Sequence, residues 1–162
     1  MKKFLIIIST VIMIVILVLF FIGQRSDIYK KHQKYRQTFG FIQYETLNHL
    51  SSKTEKNKIE PMFEQVKSAI SYAGYKNDCK IDKTLFELCR FKDDYNYNKN
   101  VSNIDLITYK ELGNTGYLWI EYTRELFDNK NDVIGGEYDA LCLIKVKKDN
   151  TNLKINDVII EP

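Results

Sequence analysis

The chain has 162 residues, 24 of them Lys or Arg and 21 Asp or Glu, for a net charge of +3. Setting aside Lys2 and Lys3 leaves the remainder at +1, which removes any general electrostatic case for nucleic-acid binding. Three cysteines without a C-x-x-C pair, and two histidines remote from them in sequence, exclude zinc-site spacing.

The first element is Phe4 to Ile22, a run without charge whose only polar side chains are Ser9 and Thr10. As a helix rising about 1.5 Å per residue it reaches roughly 28 Å, close to the hydrocarbon thickness of a bilayer. In lipid an isolated span must be helical, because only a helix satisfies its own backbone groups. The sequence therefore predicts residues 1–23 as a single transmembrane anchor and residues 24–162 as one soluble domain. A cleaved secretory signal is the rival, since Met1-Lys2-Lys3 ahead of apolar residues opens such signals. Signal cores usually run only about 7–15 residues, however, and the exit from Phe21 to Ser26 lacks an A-x-A-like site. Basic residues after the span (Arg25, Lys30, Lys31, Lys34, Arg36) outnumber those before it and favour a cytoplasmic domain. A span that begins at residue 4 resembles an uncleaved export signal, and long domains translocate largely regardless of charge. An extracytoplasmic domain is the expectation.

Beyond the anchor, Tyr35, Phe39, Ile42, Thr46 and Leu50 recur at helical spacing and predict a helix from about residue 27 to 51. Gly40 weakens it by about 1 kcal/mol relative to Ala and need not break it. The basic cluster at its start is placed to meet lipid headgroups or to lie as a solvated face. His32 and His49 stand 17 residues apart, too far along one helix to meet, and each reads as a surface polar residue rather than a catalytic base. Ser51 to Lys58 reads as a polar connection. A second helix is expected to start near Pro61, to bury Met62, Phe63, Val66, Ala69, Ile70 and Ala73, and to end at Gly74. A shorter helix is expected from Asp82, with Leu85, Phe86, Leu88 and Cys89 inward, and Lys92 to Asn103 reads as a loop that can include some strand.

Strands follow. Asn103 to Leu112, Tyr117 to Phe127, Glu137 to Lys147 and Leu153 to Glu161 are separated by turn signals at Gly113-Asn114-Thr115-Gly116, at Asp128 to Gly136, and at Asp149-Asn150-Thr151-Asn152. In the second strand Leu118, Ile120, Tyr122 and Leu126 alternate against Glu121, Thr123 and Glu125. Short turns demand antiparallel neighbours, and helices followed by strands indicate an α+β fold with helices against a curved antiparallel sheet.

Tyr117-Leu-Trp-Ile-Glu-Tyr-Thr, Tyr138-Asp-Ala-Leu-Cys-Leu-Ile-Lys-Val and Leu153-Lys-Ile-Asn-Asp-Val-Ile-Ile-Glu-Pro form a series of strand, strand, acidic-Asn turn and closing strand. This series resembles the C-terminal half of the NTF2-like superfamily, whose cone packs helices into a bent antiparallel sheet. An amino-terminal span joined to such a domain is similar to VirB8-like components of secretion and conjugation machines. The resemblance implies a scaffold, a ligand-binding module or an isomerase or dehydratase, and fold alone does not choose among them.

No P-loop, G-x-S-x-G, H-E-x-x-H or dinucleotide fingerprint occurs, and no cofactor, metal site or catalytic residue is predicted. Asp128 to Asp132 has oxygen ligands without the Gly and distal Glu of a calcium loop. An acid–base enzyme of this fold needs a carboxylate inside the cone. Asp105, Glu121 and Asp139 are the strand carboxylates available, with Tyr122 or Tyr138 as donors, and the same residues suit a solvated sheet face. Trp119 is expected to be packing. Two alternatives stand for Cys79 and Cys89: a disulfide if the domain lies outside the cytoplasm, or reduced buried thiols. Cys142 is expected in the core.

Taken together, the sequence predicts a single-pass protein of a bacterial cell membrane. Its anchor meets lipid, and its extracytoplasmic domain meets a protein partner or a second copy without catalysing a reaction. The alternative is a domain that binds or isomerises a small apolar molecule inside the cone.

Overall fold

The computed structural model describes residues 12–16, 18–19, 30–149 and 152–161. The chain divides into two units, Met1–Gly40 and Phe41–Pro162.

In the first unit, residues 12–16 and 18–19 are helical, as are residues 30–39, here α1. Ile12, Met13, Ile14, Val15, Ile16, Val18 and Leu19 are all exposed. The expected span Phe4–Ile22 and the anchor bounds lie mostly outside the described residues. Among the described residues, no helix is long and apolar enough to cross a membrane. On α1, Tyr35 and Phe39 meet edge to face at 6.0 Å and Lys31 lies over the Tyr35 ring at 5.5 Å, both pairs being one helical turn apart. Gly40 then takes φ +87°, and its N–H donates to the Arg36 carbonyl at 3.0 Å. The continuous helix predicted from 27 to 51 is thus corrected. A glycine able to adopt positive φ closes α1 in the manner of a C-terminal cap, and Ile42 and Leu50 of the expected stripe are exposed.

The second unit begins with α2 (Phe41–Glu45) and a 3-10 turn, Thr46–Asn48. The long helix α3 runs Lys53–Ile70. It starts eight residues ahead of the predicted Pro61, because Ser52 and Glu55 form a capping box: each side chain accepts from the other's backbone N–H. Pro61 therefore sits inside the helix, where it removes one backbone donor. Burial of Ile59, Phe63, Val66, Ala69 and Ile70 along one face holds the helix through that defect. The helix ends at Ile70, before Ala73 and Gly74. A 3-10 turn follows at Lys76–Asp78, then another at Lys83–Leu88, opened by the Asp82 carboxylate accepting from the Thr84 N–H at 2.9 Å. The stretch expected as loop after Lys92 holds one turn of helix, α4 (Lys92–Tyr95), closed by Asn96 in the left-handed region.

Four described strands, β1 (Lys99–Leu112), β2 (Thr115–Phe127), β3 (Val133–Asp149) and β4 (Asn152–Ile160), form an antiparallel sheet in chain order. Gly113 at φ +62° makes the first hairpin possible in two residues. The fold is α+β with a curved four-stranded sheet. Its inward face, carrying Tyr109, Leu118, Ile120, Tyr122, Cys142, Ile144 and Val146, packs against α3 in one continuous core. A bulge at Ile107 lets Leu106 and Tyr109 face the same way.

The opposite face is not bare. Trp119 and Leu143 are register partners there and both are fully buried. The Trp119 Nε1–H donates to Thr46 Oγ1 at 2.8 Å, Thr108 Oγ1 donates to the His49 carbonyl at 2.6 Å, and the Tyr109 N–H donates to Ser51 Oγ at 2.6 Å. Residues 46–51 are thereby sewn to the outward face of the sheet.

Candidate functional site

The inward row of β2 changes chemistry part-way along. Leu118 and Ile120 are followed by Tyr122 and then Arg124, which is fully buried. An arginine survives there because every side of its guanidinium finds an acceptor. Nη1 donates to the Leu88 carbonyl at 2.6 Å and to the Ile70 carbonyl at 3.2 Å. These carbonyls close the 3-10 turn at Lys83–Leu88 and the helix α3, where partnerless carbonyls and a negative dipole end collect. Nε donates to Glu137 Oε2 at 2.7 Å, and Nη2 pairs with the same oxygen. Arg90 takes the other Glu137 oxygen and donates through Nη1 to the Glu87 carbonyl at 3.2 Å. Glu137 thus lies between two guanidinium groups.

Neighbouring side chains continue the pattern. The Asn100 amide donates to the Ile70 and Tyr72 carbonyls at 2.9 and 3.1 Å. The Tyr97 hydroxyl reaches the Tyr72 carbonyl at 3.2 Å and also bonds the Arg90 carbonyl. Four side chains therefore hold the irregular stretches on either side of the 3-10 turns by their carbonyls. Glu137 reaches its place because Gly136 has no side chain: a Cβ there would stand 2.6 Å from the Arg124 carbonyl oxygen. Two polar atoms in this region, the Tyr122 hydroxyl and Asn100 Oδ1, are buried without a hydrogen-bond partner among the described residues. Burial, reinforced by the charge of Glu137, pushes the Tyr122 hydroxyl up to about 12. Burial also raises the Tyr97 hydroxyl above its usual range.

A cleft of about 350 Å³ opens beside this cluster, lined by Arg90, Tyr95, Arg124, Leu126 and the Ile134–Glu137 stretch of β3. The Arg90 guanidinium sits over the Tyr95 ring at 5.6 Å, a cation–π contact that gives the cleft one polar wall. With Arg124 unexposed and its donors spent on Glu137 and two carbonyls, the two guanidiniums and one carboxylate form an internally satisfied ion cluster, and Arg90 is its member nearer solvent.

The residues weighed as catalytic from sequence lie elsewhere. Asp105, Glu121 and Asp139 are exposed on the outward side, with Asp105 and Glu121 directly opposite each other in the β1–β2 register. Asp139 serves a bulge, its N–H donating to Thr123 Oγ1 at 3.2 Å. The Tyr138 hydroxyl donates to Glu125 at 3.0 Å, which raises its pKa. Tyr122 alone points inward, beside Arg124 at 5.4 Å from guanidinium to ring centre. His32 is exposed. His49 pairs with the capping-box residue Glu55 at 3.1 Å. Asp128 is used by its own turn, accepting from the Lys130 and Asp132 N–H groups at 2.7 and 3.0 Å. Among the described residues, no group of three His, Cys, Asp or Glu side chains is placed to hold a metal.

Cys79 and Cys89 are both free thiols, Cys89 inside the core cluster and Cys79 partly buried against it. Arg124 and Glu137 are the residues the sequence missed. The signal was present: Arg124 has the same parity as Leu118, Ile120, Tyr122 and Leu126.

No family model matches this chain, and no curated protein matches it. Among solved structures it is similar to Aln2 from a Streptomyces species, at 12% identity over 70% of this chain and 93% of that one, with a TM-score of 0.47.

Proposed function

We propose that this protein is a single-pass, membrane-anchored interaction domain, facing the extracytoplasmic side of a bacterial cell membrane and lacking catalytic activity. The observation that carries this is the uncharged Phe4–Ile22 stretch, whose described part is helical with every large aliphatic side chain exposed. Such a surface is costly in water and favoured in lipid. In the soluble domain, the carboxylates suited to acid–base work are solvated, and an NTF2-like arrangement of helices on a curved sheet serves as a scaffold. A protein partner, or a second copy, has an edge to meet. β4 pairs with β3 only from Cys142 onward, so Val133 to Ala140 has no described strand beyond it, and Val133, Ile134 and Tyr138 are exposed along it.

The full chain is expected in the membrane pellet after a high-salt, alkaline wash, with release by mild detergent. Recovery in the aqueous fraction without detergent overturns the anchor. A cysteine placed at Lys130 in a chain otherwise free of cysteine should react with a membrane-impermeant maleimide on intact spheroplasts; protection until lysis reverses the orientation. Cross-linking in membranes is expected to trap a dimer or a heteromeric band, and monomer alone counts against the partner.

The alternative of a ligand pocket inside the cone draws little support from an inward face filled by Leu118, Ile120, Cys142, Ile144 and Val146, all without solvent exposure.

A further inference from the structure

We infer that the cleft between β3, β4 and the 3-10 turn Lys83–Leu88 is a binding site for a phosphate-bearing anion, held by Lys147, Lys148 and Lys154. The cleft measures about 480 Å³ and is lined by these three lysines with Thr84, Ile155 and Asn156. Strand register sets the lysines. Lys145 and Lys147 leave β3 on the same face. Lys145 stands opposite Asp157 on β4 and pairs with it at 3.0 Å. Two residues further on, Lys147 stands opposite Lys154, and both are exposed. Like charges directly opposite on antiparallel strands destabilise a sheet. The bulge at Asn156 is the cause. It turns Ile155 inward with Val146 and, by the same step, sets Lys154 across from Lys147.

Nothing in the fold answers this charge. Among the described residues, no carboxylate stands within ion-pair distance of Lys147, Lys148 or Lys154. The two carboxylates whose field these lysines enter are already engaged. Asp82 accepts from the N–H and the hydroxyl of Thr84, at 2.9 and 2.8 Å, and Glu111 bonds Lys58 and the Tyr109 hydroxyl. An anion seated between Lys147 and Lys154 turns a repulsive pair into a bridged one. Each ammonium is a point charge with three donors, which suits phosphate oxygens without requiring a planar match. A phosphate ester carries about −1.5 to −2 at pH 7, against a carboxylate's single charge, and so matches three lysines better. Asn156, exposed at the bulge, adds a neutral amide donor to the same cleft. A free phosphate-bearing molecule and a lipid headgroup offer this chemistry alike.

The test titrates the full chain, in mild detergent and phosphate-free low-salt buffer, with inorganic pyrophosphate, followed by calorimetry and by amide resonances. Saturable binding is expected, with shifts gathered at residues 147, 148 and 154–156. Lys147→Gln combined with Lys154→Gln should weaken it about tenfold or more, through the loss of two close charge contacts. Lys99→Gln combined with Lys130→Gln, an equal loss of charge elsewhere, should not. Without anion, the Lys147/Lys154 double variant should unfold no earlier than the unchanged chain, because it sheds a repulsive pair. Pyrophosphate should raise the unfolding midpoint of the unchanged chain and leave that variant's in place. Binding that does not saturate, shifts spread over lysines at large, or equal weakening by the control variant overturns the site. Nanodiscs of phosphatidylcholine with and without phosphatidic acid then separate the sources. Shifts of the same amides on adding the anionic lipid alone assign a headgroup, and their absence assigns a free molecule. The detergent titration does not depend on the anchor, so its failure is distinct from a failure of the membrane reading.

Discussion

Two lengths of one strand face the same interior and are held in different ways. On β2, Leu118 and Ile120 pack against α3 and against Cys142, Ile144 and Val146, contacts that any well-shaped set of aliphatic side chains supplies. Further along, the same inward row offers Tyr122 and Arg124, opposite chain that is no longer helical. Where α3 and the 3-10 turn stop, carbonyls lose their intrahelical donors, and Arg124, Asn100, Arg90 and Tyr97 replace them. The comparison teaches that regular structure can be secured by burial alone, whereas buried irregular backbone requires donors aimed at individual oxygens.

The sharpest way to break that contrast is to remove its central donor. Arg124→Met should cost about 3–5 kcal/mol in denaturant unfolding, because the Glu137 carboxylate and two carbonyls lose their main partner. Adding Glu137→Gln should cost less than the sum of the two single changes, since both remove one network. A loss for Arg124→Met no larger than that of an ordinary surface substitution would dissolve the distinction between the two lengths. Asn100→Ala in the same cluster should cost about 1–3 kcal/mol through the Ile70 and Tyr72 carbonyls it abandons. At the aliphatic end, Ile120→Val should cost about 0.5–1.5 kcal/mol and leave the cleft beside Arg90 unchanged in a structure of the variant. Ser52→Ala, which removes the cap of α3 away from both lengths, should cost about 1 kcal/mol.

pH separates the regions in a different way. Lys58 and the Tyr109 hydroxyl hold Glu111 below its usual range, and backbone hydrogen bonds first of all lower Glu55 and Asp82. Their contribution is present above the unfolded carboxylate range and is lost as pH falls through their lowered folded values, so acid should weaken the Ser52 end. Tyr122 and Cys89 shift the other way. Their folded values near 12 exceed the unfolded values near 10 and 9, so the stability they give is complete below pH 9 and lost as pH rises toward 12. Burial raises the Tyr109 hydroxyl at the Ser52 end as well, so alkali does not separate the two ends and acid does. Amide exchange should show the Ser52 end loosening first as pH falls, and loosening of the Arg124 end first would contradict that assignment.

Much of the sheet was legible because its signals are local. Alternation along Tyr117–Phe127, the Gly113-Asn114 turn and the Asp149–Asn152 turn each depend on a few neighbouring residues. The misreadings share a cause of another kind. An average propensity cost does not say whether Gly40 takes positive φ and ends the helix. Ser52 and Glu55 spell a capping box, but the polarity of SSKTEKNK masks it and Pro61 is the louder signal. A charge at the inward position of Arg124 looks like an exception to alternation, and its justification lies in carbonyls of residues 70 and 88, far away in sequence.

The amino-acid sequence by itself determined the apolar leading stretch, the order of helices before strands, the antiparallel meander and the near-neutral charge, because each follows from periodicity or composition over a short window. Only the tertiary structure decided that Trp119 would be covered from the outward side and that Arg124 would join two helix ends to Glu137. Those outcomes depend on which distant backbone groups are left without partners when the elements pack, and that is settled by the assembled chain rather than by any one segment of it.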